Sequence, residues 1–271
     1  MLILVFYELM AEPDQPPFPS CSVQLSIISC SERSALVEYG SRTKIVVAVN
    51  GSLAETDVAS PDEGFVYSEI ETADSVLYPQ VKDQIVDLQK TLQTVFQSGQ
   101  LFELKSLLIY RAKLCWSLRC HVLVLDGLDY ITEACLVALA ACLQNYSFPQ
   151  VTYDKSDDVE SQPGLDITRI RVDTSVTLRL PLKHNLFQFH FGFGSSGEIM
   201  KDPVCPYNAE KCSGSVIFLM DETDSLHMLR KSGKDIPDFE GKTLQQCLKM
   251  AGARLAYLRQ LIDEAEKCIA S

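Results

Sequence analysis

The sequence predicts a single-domain α+β fold, in which runs of strands are interrupted by isolated helices. Three stretches of the 271 residues indicate this arrangement. Residues 22–49 contain three short apolar runs, residues 78–96 carry one apolar stripe at helical spacing, and residues 104–151 give two strands and then a helix. Strands and helices do not alternate regularly, which disfavours a doubly wound parallel sheet.

The first predicted elements form an antiparallel meander. Residues 22–28 alternate apolar and polar side chains, residues 34–39 follow after a turn, and residues 43–49 form a more buried run. After a loop, residues 65–70 alternate again, which predicts an edge strand.

Two helices and two strands are predicted next. Residues 78–96 form a helix, since apolar side chains recur every three or four positions. Residues 104–109 and 115–125 form strands, and the second lies centrally in its sheet because it carries almost no polar residue. Residues 130–143 form a helix dense in Ala, Cys and Leu. It should lie close against a sheet on one side and against another layer on the other.

The last third of the chain predicts more strands and one long helix. The strands cover residues 169–180, 186–193, 215–220 and 227–230. Residues 244–265 then place apolar side chains in steps of three and four along a helix. This stripe would suit a coiled coil or docking on the domain's own sheet, and we favour docking because the helix is isolated.

Composition restricts the possible functions. The formal net charge is −12 and the pI is near 4.8, whereas a free-standing nucleic-acid binder usually carries a basic excess. The ten cysteines are scattered singly through apolar runs, which predicts reduced core residues of an intracellular protein. We therefore expect RNA contacts, if any, to be local or shared with a more basic partner.

The N-terminal residues differ from the rest. Residues 1–20 predict a leader or linker, and residues 21–271 predict the domain. The apolar residues 2–6 have no basic region before them and are followed by Glu8 and Glu12, so a signal peptide is disfavoured. No stretch reaches the ~18 consecutive apolar residues of a membrane span.

Several short segments carry a resemblance to a known family. They are Ser34-Ala35-Leu36-Val37-Glu38-Tyr39-Gly40, residues 43–49, Pro61-Asp62-Glu63-Gly64-Phe65, Val122-Leu123-Val124-Leu125-Asp126 and Glu133-Ala134-Cys135. Together they resemble RNase PH-fold proteins, in particular the less catalytic branch of the RNase PH-like subunits in the ring of the RNA exosome. The resemblance spans residues 22–266, but the Asp-Gly-Arg motif of the family leader is absent.

The resemblance implies where chemistry should lie. RNase PH enzymes use phosphate to release nucleotides from RNA 3′ ends, so two anions must meet in a cationic cradle beside carboxylates. The two carboxylate positions of the family fall on Asn208 and Gly214, which cannot ionise. The phosphate-binding turn falls on residues 127–130, where Asp129 would repel phosphate. The resemblance thus implies a subunit without catalytic residues, metal or cofactor.

Two alternatives stay open. An active phosphate-dependent 3′-to-5′ exoribonuclease would need Asp202, Glu210 or Asp221 in place of the degenerate positions. A free RNA-binding protein is disfavoured by the net charge of −12.

Basic residues supply candidate RNA contacts. Arg230, Lys231 and Lys234 form the densest basic cluster, which could touch RNA, although a solvated turn is the favoured interpretation. In assisting partners of catalytic subunits, arginines lie on the helix that corresponds to residues 78–96. Thr94 and Gln97 occupy those positions here, and only Lys90 keeps a charge nearby.

Three further features have structural explanations. Residues 192–197 are glycine-rich but are not followed by a helical pattern, so they predict a hairpin turn and no phosphate loop. His184 and His190 would share a strand face but lack a cysteine or acid at ligand spacing, which disfavours zinc. Arg119 interrupts an apolar strand and is expected at an edge or an interface.

The resemblance implies an inactive structural subunit of the exosome ring. Its expected partners are the other RNase PH-like subunits, the cap proteins, and single-stranded RNA in the channel, with no membrane partner. Its expected processes are RNA decay and ribosomal RNA processing, in the nucleus with its nucleolus and in the cytoplasm.

Overall fold

A computed structural model describes residues 18–73, 79–127, 129–154, 165–200, 211–233 and 239–270. These residues form two antiparallel-rich sheets, a two-stranded ribbon and three helices. The mixed architecture confirms the predicted α+β class.

The first sheet contains the meander and the apolar strand of the middle segment. Its strands are β1 (Cys21–Leu25), β2 (Arg33–Tyr39), β3 (Thr43–Ala54), β4 (Phe65–Thr72), β5 (Leu108–Tyr110) and β6 (Leu114–Gly127). They lie in the order β1-β2-β3-β6-β4, with β5 paired to β6. Strand β6 is antiparallel to β3 and parallel to β4. The predictions of a meander, a central β6 and an edge strand β4 are confirmed.

Two strand predictions in this sheet were too long. The first strand ends at Leu25, because Ser26 turns the chain at a φ of 56° and donates its N–H to the Ser34 carbonyl. Residues 104–107 form a 3-10 turn, so the strand predicted at 104–109 is reduced to β5. Ser106 bonds the carbonyl of Glu103 through both its N–H and its hydroxyl, which competes locally with strand pairing.

Gly64 explains why this 3-10 turn lies where it does. A Cβ at Gly64 would stand 2.5 Å from the Leu107 Cβ and 2.5 Å from the Trp116 carbonyl oxygen. Only a residue without a side chain lets the turn approach β6 so closely. Leu107 is fully buried as a result.

The second sheet lies in the C-terminal half. It contains β9 (Leu186–Phe193), β10 (Ile199–Met200), β11 (Gly214–Asp221) and β12 (Leu226–Gly233) in the order β10-β9-β11-β12. Gly194 and Gly197 turn the chain between β9 and β10, which confirms the predicted hairpin. The expectation of a solvated turn from Arg230 onward was wrong as far as Gly233, because these residues pair with β11 and extend β12.

A separate ribbon pairs β7 (Ser147–Tyr153) with β8 (Ile170–Arg179). Strand β8 was predicted almost to the residue, whereas β7 was not predicted as a strand. Phe148 of β7 stacks on Trp116 with ring centroids 4.9 Å apart, which fixes the ribbon to the first sheet.

The described residues include three α-helices: α1 (Pro79–Gln97), α2 (Ile131–Leu143) and α3 (Leu244–Ala270). Helix α2 contacts β2 and β3 of the first sheet and β9 of the second, and each of its thirteen residues is buried. The expectation that this small-residue helix packs on both sides is confirmed. None of the helices is long and apolar enough, within the residues described, to cross a membrane.

Helix α3 docks on its own domain, as expected. It lies against β1 and β9 and buries one apolar face: Cys247, Met250, Ala251, Leu255, Leu258, Leu261 and Ile262. Nine of the ten cysteines fall within the described residues, and none of these nine forms a disulfide. Burial raises the pKa of Cys120 to about 12, so its thiol is an inert core group.

Arg254 of α3 contacts the first residues that the structure describes. Its guanidinium lies over the rings of Phe18, Tyr39 and Tyr257, at 5.4, 5.3 and 4.8 Å from their centroids. It also donates from Nη2 to the Pro19 carbonyl at 2.5 Å. Since only 8% of Arg254 is exposed, this cation is stabilised largely by the ring faces.

We predict that Arg254→Ala lowers the free energy of unfolding by about 2–4 kcal/mol, through lost packing and lost cation–π contacts. Arg254→Lys should lose less, because the charge remains but the planar stack does not. Urea unfolding measures both. Arg259→Ala, an exposed arginine on the same helix, is the control and should change stability by about 0.5 kcal/mol or less. Equal effects of Arg254→Ala and Arg259→Ala would contradict the prediction.

Candidate functional site

The candidate site is the N-terminus of α2, onto which the resemblance maps a phosphate-binding turn. Strand β6 ends at Gly127, and Tyr130 enters the helix in a left-handed conformation with a φ of 55°. Thr43 donates its hydroxyl to the Asp129 carbonyl, and the Tyr130 ring packs on Tyr39 at 5.5 Å. The turn is therefore held by the first sheet.

The charge at this helix end comes from the chain's own acids. A helix N-terminus favours a negative group, and Asp129 and Glu133 both lie there, each only 5% exposed. Arg42 approaches Asp129 with Nη1 3.8 Å from Oδ2. The helix end thus already holds the Asp129 carboxylate with Arg42 beside it, and this carboxylate disfavours the approach of a phosphate anion.

Glu133 faces the second sheet. Gln188 of β9 donates from Nε2 to Glu133 Oε1 at 3.4 Å. Burial raises the pKa of Glu133 from 4.5 to about 7, against a smaller lowering by the bonds it accepts and by Arg230. Burial also lowers the pKa of His190, two residues further along β9, to about 4, and Arg230 adds to that shift. Both groups favour their neutral forms, so the surroundings of Glu133 disfavour buried charge.

Of the two positions onto which the family's carboxylates map, the structure describes only Gly214. Gly214 begins β11 and is buried between Phe193 of β9 and Gly233 of β12. It serves the sheet through its backbone and supplies no ionisable group. Asn208 lies outside the described residues, as do Asp202 and Glu210 of the alternative reading.

Asp221, the third acid of that alternative, is engaged in a turn. Its Oδ1 accepts bonds from the N–H and hydroxyl of Thr223 and from the N–H of Ser225, at 2.8, 2.6 and 3.1 Å. His227 Nε2 lies 2.7 Å from Oδ2. Burial alone would raise the pKa of Asp221, but the bonds from Thr223 and His227 lower it below its usual range. This carboxylate fixes the β11–β12 turn.

His184 and His190, the two histidines considered as zinc ligands, do not share a strand face. His184 precedes β9, where its Nδ1 lies 3.6 Å from Asp221 Oδ2 and 3.5 Å from Glu222 Oε1. His190 is within β9 beside Ile217. The expectation of a common face was wrong because the strand starts only at Leu186. Within the described ranges, no three His, Cys, Asp or Glu side chains are arranged to hold a metal ion.

The structure brings two of the basic candidates together. Arg230 of β12 pairs with Asp87 of α1 at 3.2 Å, and Lys90 is exposed one helical turn further on. Lys231, next to Arg230, points to the opposite face of β12 because side chains alternate along a strand. Lys234 lies outside the described residues.

The exposed neutral residues Thr94 and Gln97 continue the Lys90 side of α1. The Thr94 hydroxyl donates a hydrogen bond to the Lys90 carbonyl oxygen at 2.9 Å. The surface that would carry assisting arginines therefore has one lysine and one ion-paired arginine among the described residues. Sequence reasoning missed the link through Asp87, because nothing in the spacing of α1 and β12 signals their contact.

Arg119 lies on the open face of the first sheet. Its guanidinium stands 5.5 Å from the Tyr67 ring centroid, and its Nε is 3.9 Å from Glu69 Oε1. His121 Nδ1 approaches the same carboxylate at 3.2 Å. Strand β6 is central, so Arg119 does not lie at a sheet edge. The other expected place for it, an interface, stays a prediction.

Comparison with known proteins gives the class of fold. No family model matches the sequence. An archaeal exosome core structure shares 18% identity at a TM-score of 0.65, over 93% of this chain and 88% of that chain. An exosome structure from Archaeoglobus fulgidus, described with RNA bound to the active site, shares 18% identity at a TM-score of 0.66. The match covers 90% of this chain and 89% of that chain. Rice (Oryza sativa) Rrp46 shares 12% identity at a TM-score of 0.61, over 92% of this chain and 95% of that chain.

The chain therefore has the fold of RNase PH-like exosome subunits, which confirms the fold predicted from the sequence resemblance. At this level of identity the likeness defines the architecture. The chemistry has to be argued from the residues at the α2 N-terminus.

We predict that stability falls with rising pH through Glu133. Its folded-state pKa of about 7 lies above the ordinary 4.5, so folding favours the protonated acid. The stabilisation is complete below about pH 4.5 and lost as pH rises through 7, by roughly 3 kcal/mol. Glu133→Gln should match the native chain near pH 4.5 and exceed its stability near pH 8, as measured by urea unfolding.

The difference between variant and native curves isolates Glu133 from His190, whose lowered pKa gives a slope of the opposite sign. Glu55→Gln serves as the control, since Glu55 is exposed just after β3 and its neutralisation should leave the pH dependence unchanged. A Glu133→Gln curve parallel to that of the native chain would contradict the assignment.

Proposed function

We propose that this chain is a catalytically inactive, structural subunit of an exosome core ring, of the ribosomal RNA-processing protein 42 type. In this role it helps to frame a channel through which single-stranded RNA passes during 3′-to-5′ processing and decay. The proposal extends to nuclear, nucleolar and cytoplasmic pools, where ribosomal RNA precursors and other RNAs are processed.

One observation carries the proposal of inactivity. The helix end that would hold phosphate carries Asp129 and Glu133, both buried, and Gly214 replaces one of the carboxylates. A phosphate about 4 Å from an ionised Asp129 would be repelled by about 1 kcal/mol even at the dielectric constant of water, and by more in a partly buried site. The active alternative requires Asp202 or Glu210, since Asp221 already accepts bonds from Thr223, Ser225 and His227.

Assembly with other subunits supports the ring role. The −12 charge suits docking on more basic neighbours, such as other RNase PH-like subunits and cap proteins. Strand β8 exposes Val172, Val176 and Leu178 at 50, 40 and 51%, apolar surface that an assembly would cover. RNA would then meet a channel whose positive charge is shared among several chains.

A phosphorolysis assay tests the catalytic part. The purified chain, incubated with single-stranded RNA and inorganic phosphate, should release no nucleoside diphosphates above a protein-free blank. An active RNase PH enzyme in parallel verifies the conditions. Release by this chain that Glu210→Gln abolishes would establish the active alternative instead.

Affinity purification under mild conditions tests the assembly part. We expect several other RNase PH-like chains to co-purify in stoichiometric amounts, because the ring alternates such subunits. Recovery of the chain alone, at a native mass of one copy, would contradict ring membership whatever the phosphorolysis result.

A charge reversal tests the RNA path. In the reconstituted ring, Lys90→Glu with Arg230→Glu should weaken RNA binding about tenfold and reduce its salt dependence, because the exposed Lys90 and the Asp87-paired Arg230 would both become anions on the proposed RNA path. Lys105→Glu with Lys249→Glu, at two exposed lysines in the 3-10 turn and on α3, is the matched control with the same change in net charge. Equal loss in the control would mean that only net charge matters.

A further inference from the structure

One face of the second sheet carries a set of polar side chains that meets α1 and α2. His190 of β9, Ile217 of β11 and Arg230 of β12 are cross-strand neighbours, so their side chains lie on the same face of the sheet. Gln188, two positions before His190 in β9, lies on this face as well. The set therefore extends from Gln188, which bonds Glu133 at the start of α2, to Arg230 on the last strand of the sheet.

Arg230 interacts with two carboxyl groups that belong to different helices. Its Nη2 lies 3.2 Å from Oδ2 of Asp87 on α1, and the two side chains of this ion pair are 49 and 45% exposed. The second carboxyl group is that of Glu133 on α2. Burial is the largest influence on the pKa of Glu133, and the charge of Arg230 opposes it. Strands β9 and β12 are two strand spacings apart, roughly 10 Å, and long side chains from both sides meet across such a distance.

We infer that Arg230 exchanges partners when Glu133 changes its protonation state. With Glu133 neutral, Arg230 pairs with Asp87 and links β12 to α1. When Glu133 releases its proton to solvent, the guanidinium turns towards it, because an unpaired charge in a buried position is strongly unfavourable. Asp87 then loses its partner, and the link between α1 and β12 is broken. This exchange is a property of the chain by itself and does not depend on the proposed ring function.

The strengths of the two pairs favour the exchange. An exposed ion pair such as that of Arg230 with Asp87 contributes little, because water screens both charges. A cation beside the carboxylate of Glu133, which is only 5% exposed, interacts more strongly, because little water lies there to screen it. A neutral Glu133 offers Arg230 no such interaction. The protonation state of one buried acid is therefore sufficient to select the partner.

The exchange falls near pH 7, because burial raises the pKa of Glu133 to about 7. The titratable neighbours of Glu133 keep their charge in this range. Burial and the charge of Arg230 lower the pKa of His190 to about 4, so its ring is neutral on both sides of pH 7. Burial raises the pKa of Tyr39, which approaches Glu133 from β2, to about 12. The other charged groups on the adjoining elements are Asp87, Lys90, Asp129 and Arg42.

Double-mutant cycles in urea unfolding test the exchange on the full chain, near pH 5.5 and near pH 8.5. Each cycle gives the coupling of two side chains as a fold-change in the unfolding equilibrium constant. The cycle of Asp87→Asn with Arg230→Gln should give about threefold near pH 5.5 and no coupling near pH 8.5. The cycle of Glu133→Gln with Arg230→Gln should give no coupling near pH 5.5 and about tenfold near pH 8.5.

Two controls make the result specific to Glu133. In a Glu133→Gln background, the coupling between Asp87 and Arg230 should stay at about threefold near both pH values, because no buried carboxylate competes for the guanidinium. The exposed pair of Lys44 and Glu38, 2.7 Å apart on neighbouring strands, should show a coupling that does not change with pH. Circular dichroism verifies that each variant is folded.

Nuclear magnetic resonance follows the guanidinium in the native chain. The Nε–H signal of Arg230, identified by its loss in Arg230→Gln, should shift with a midpoint near pH 7 and should stay in place after Glu133→Gln. Four results would overturn the inference: a coupling between Asp87 and Arg230 that is equal at both pH values, a pH-dependent coupling that persists after Glu133→Gln, no coupling between Glu133 and Arg230 near pH 8.5, and an Nε–H signal that does not move.

Discussion

The complete burial of α2 between the two sheets is the constraint on which the structure depends. Every one of its thirteen residues is buried, so each side must present small or closely fitting side chains to a sheet. Ala138 and Ala141 allow the close approach, and Cys142 fills space while its thiol donates to the Val47 carbonyl. The position of α2 in turn sets where its N-terminus meets β9, and hence where Glu133 faces Gln188.

The same burial explains the character of the candidate site. A helix end enclosed on both sides has little water to screen charge, so an anion there is either strongly held or strongly excluded. Asp129 and Glu133 both lie at that helix end. The burial of Glu133 there raises its pKa.

Much of the fold could be predicted from the sequence, because periodicity reports burial directly. Strand β9 matched its predicted bounds at residues 186–193, and α2 was recognised from its density of small apolar residues. Local hydrogen bonding was less visible: Ser106 replaced a strand by a 3-10 turn. The candidate site was harder to predict than the fold. The ion pair between Arg230 and Asp87 joins residues 143 positions apart, and no pattern in one sequence encodes such a contact.

Gly64 has a meaning for how such proteins are recognised. It belongs to the Pro-Asp-Glu-Gly-Phe piece that supports the family resemblance, and the structure gives it a purely steric task beneath Leu107 and beside Trp116. Selection on that contact persists as long as the domain must fold, whatever happens to catalysis. This glycine is needed for folding with or without catalysis, so the motif indicates architecture and says nothing about activity.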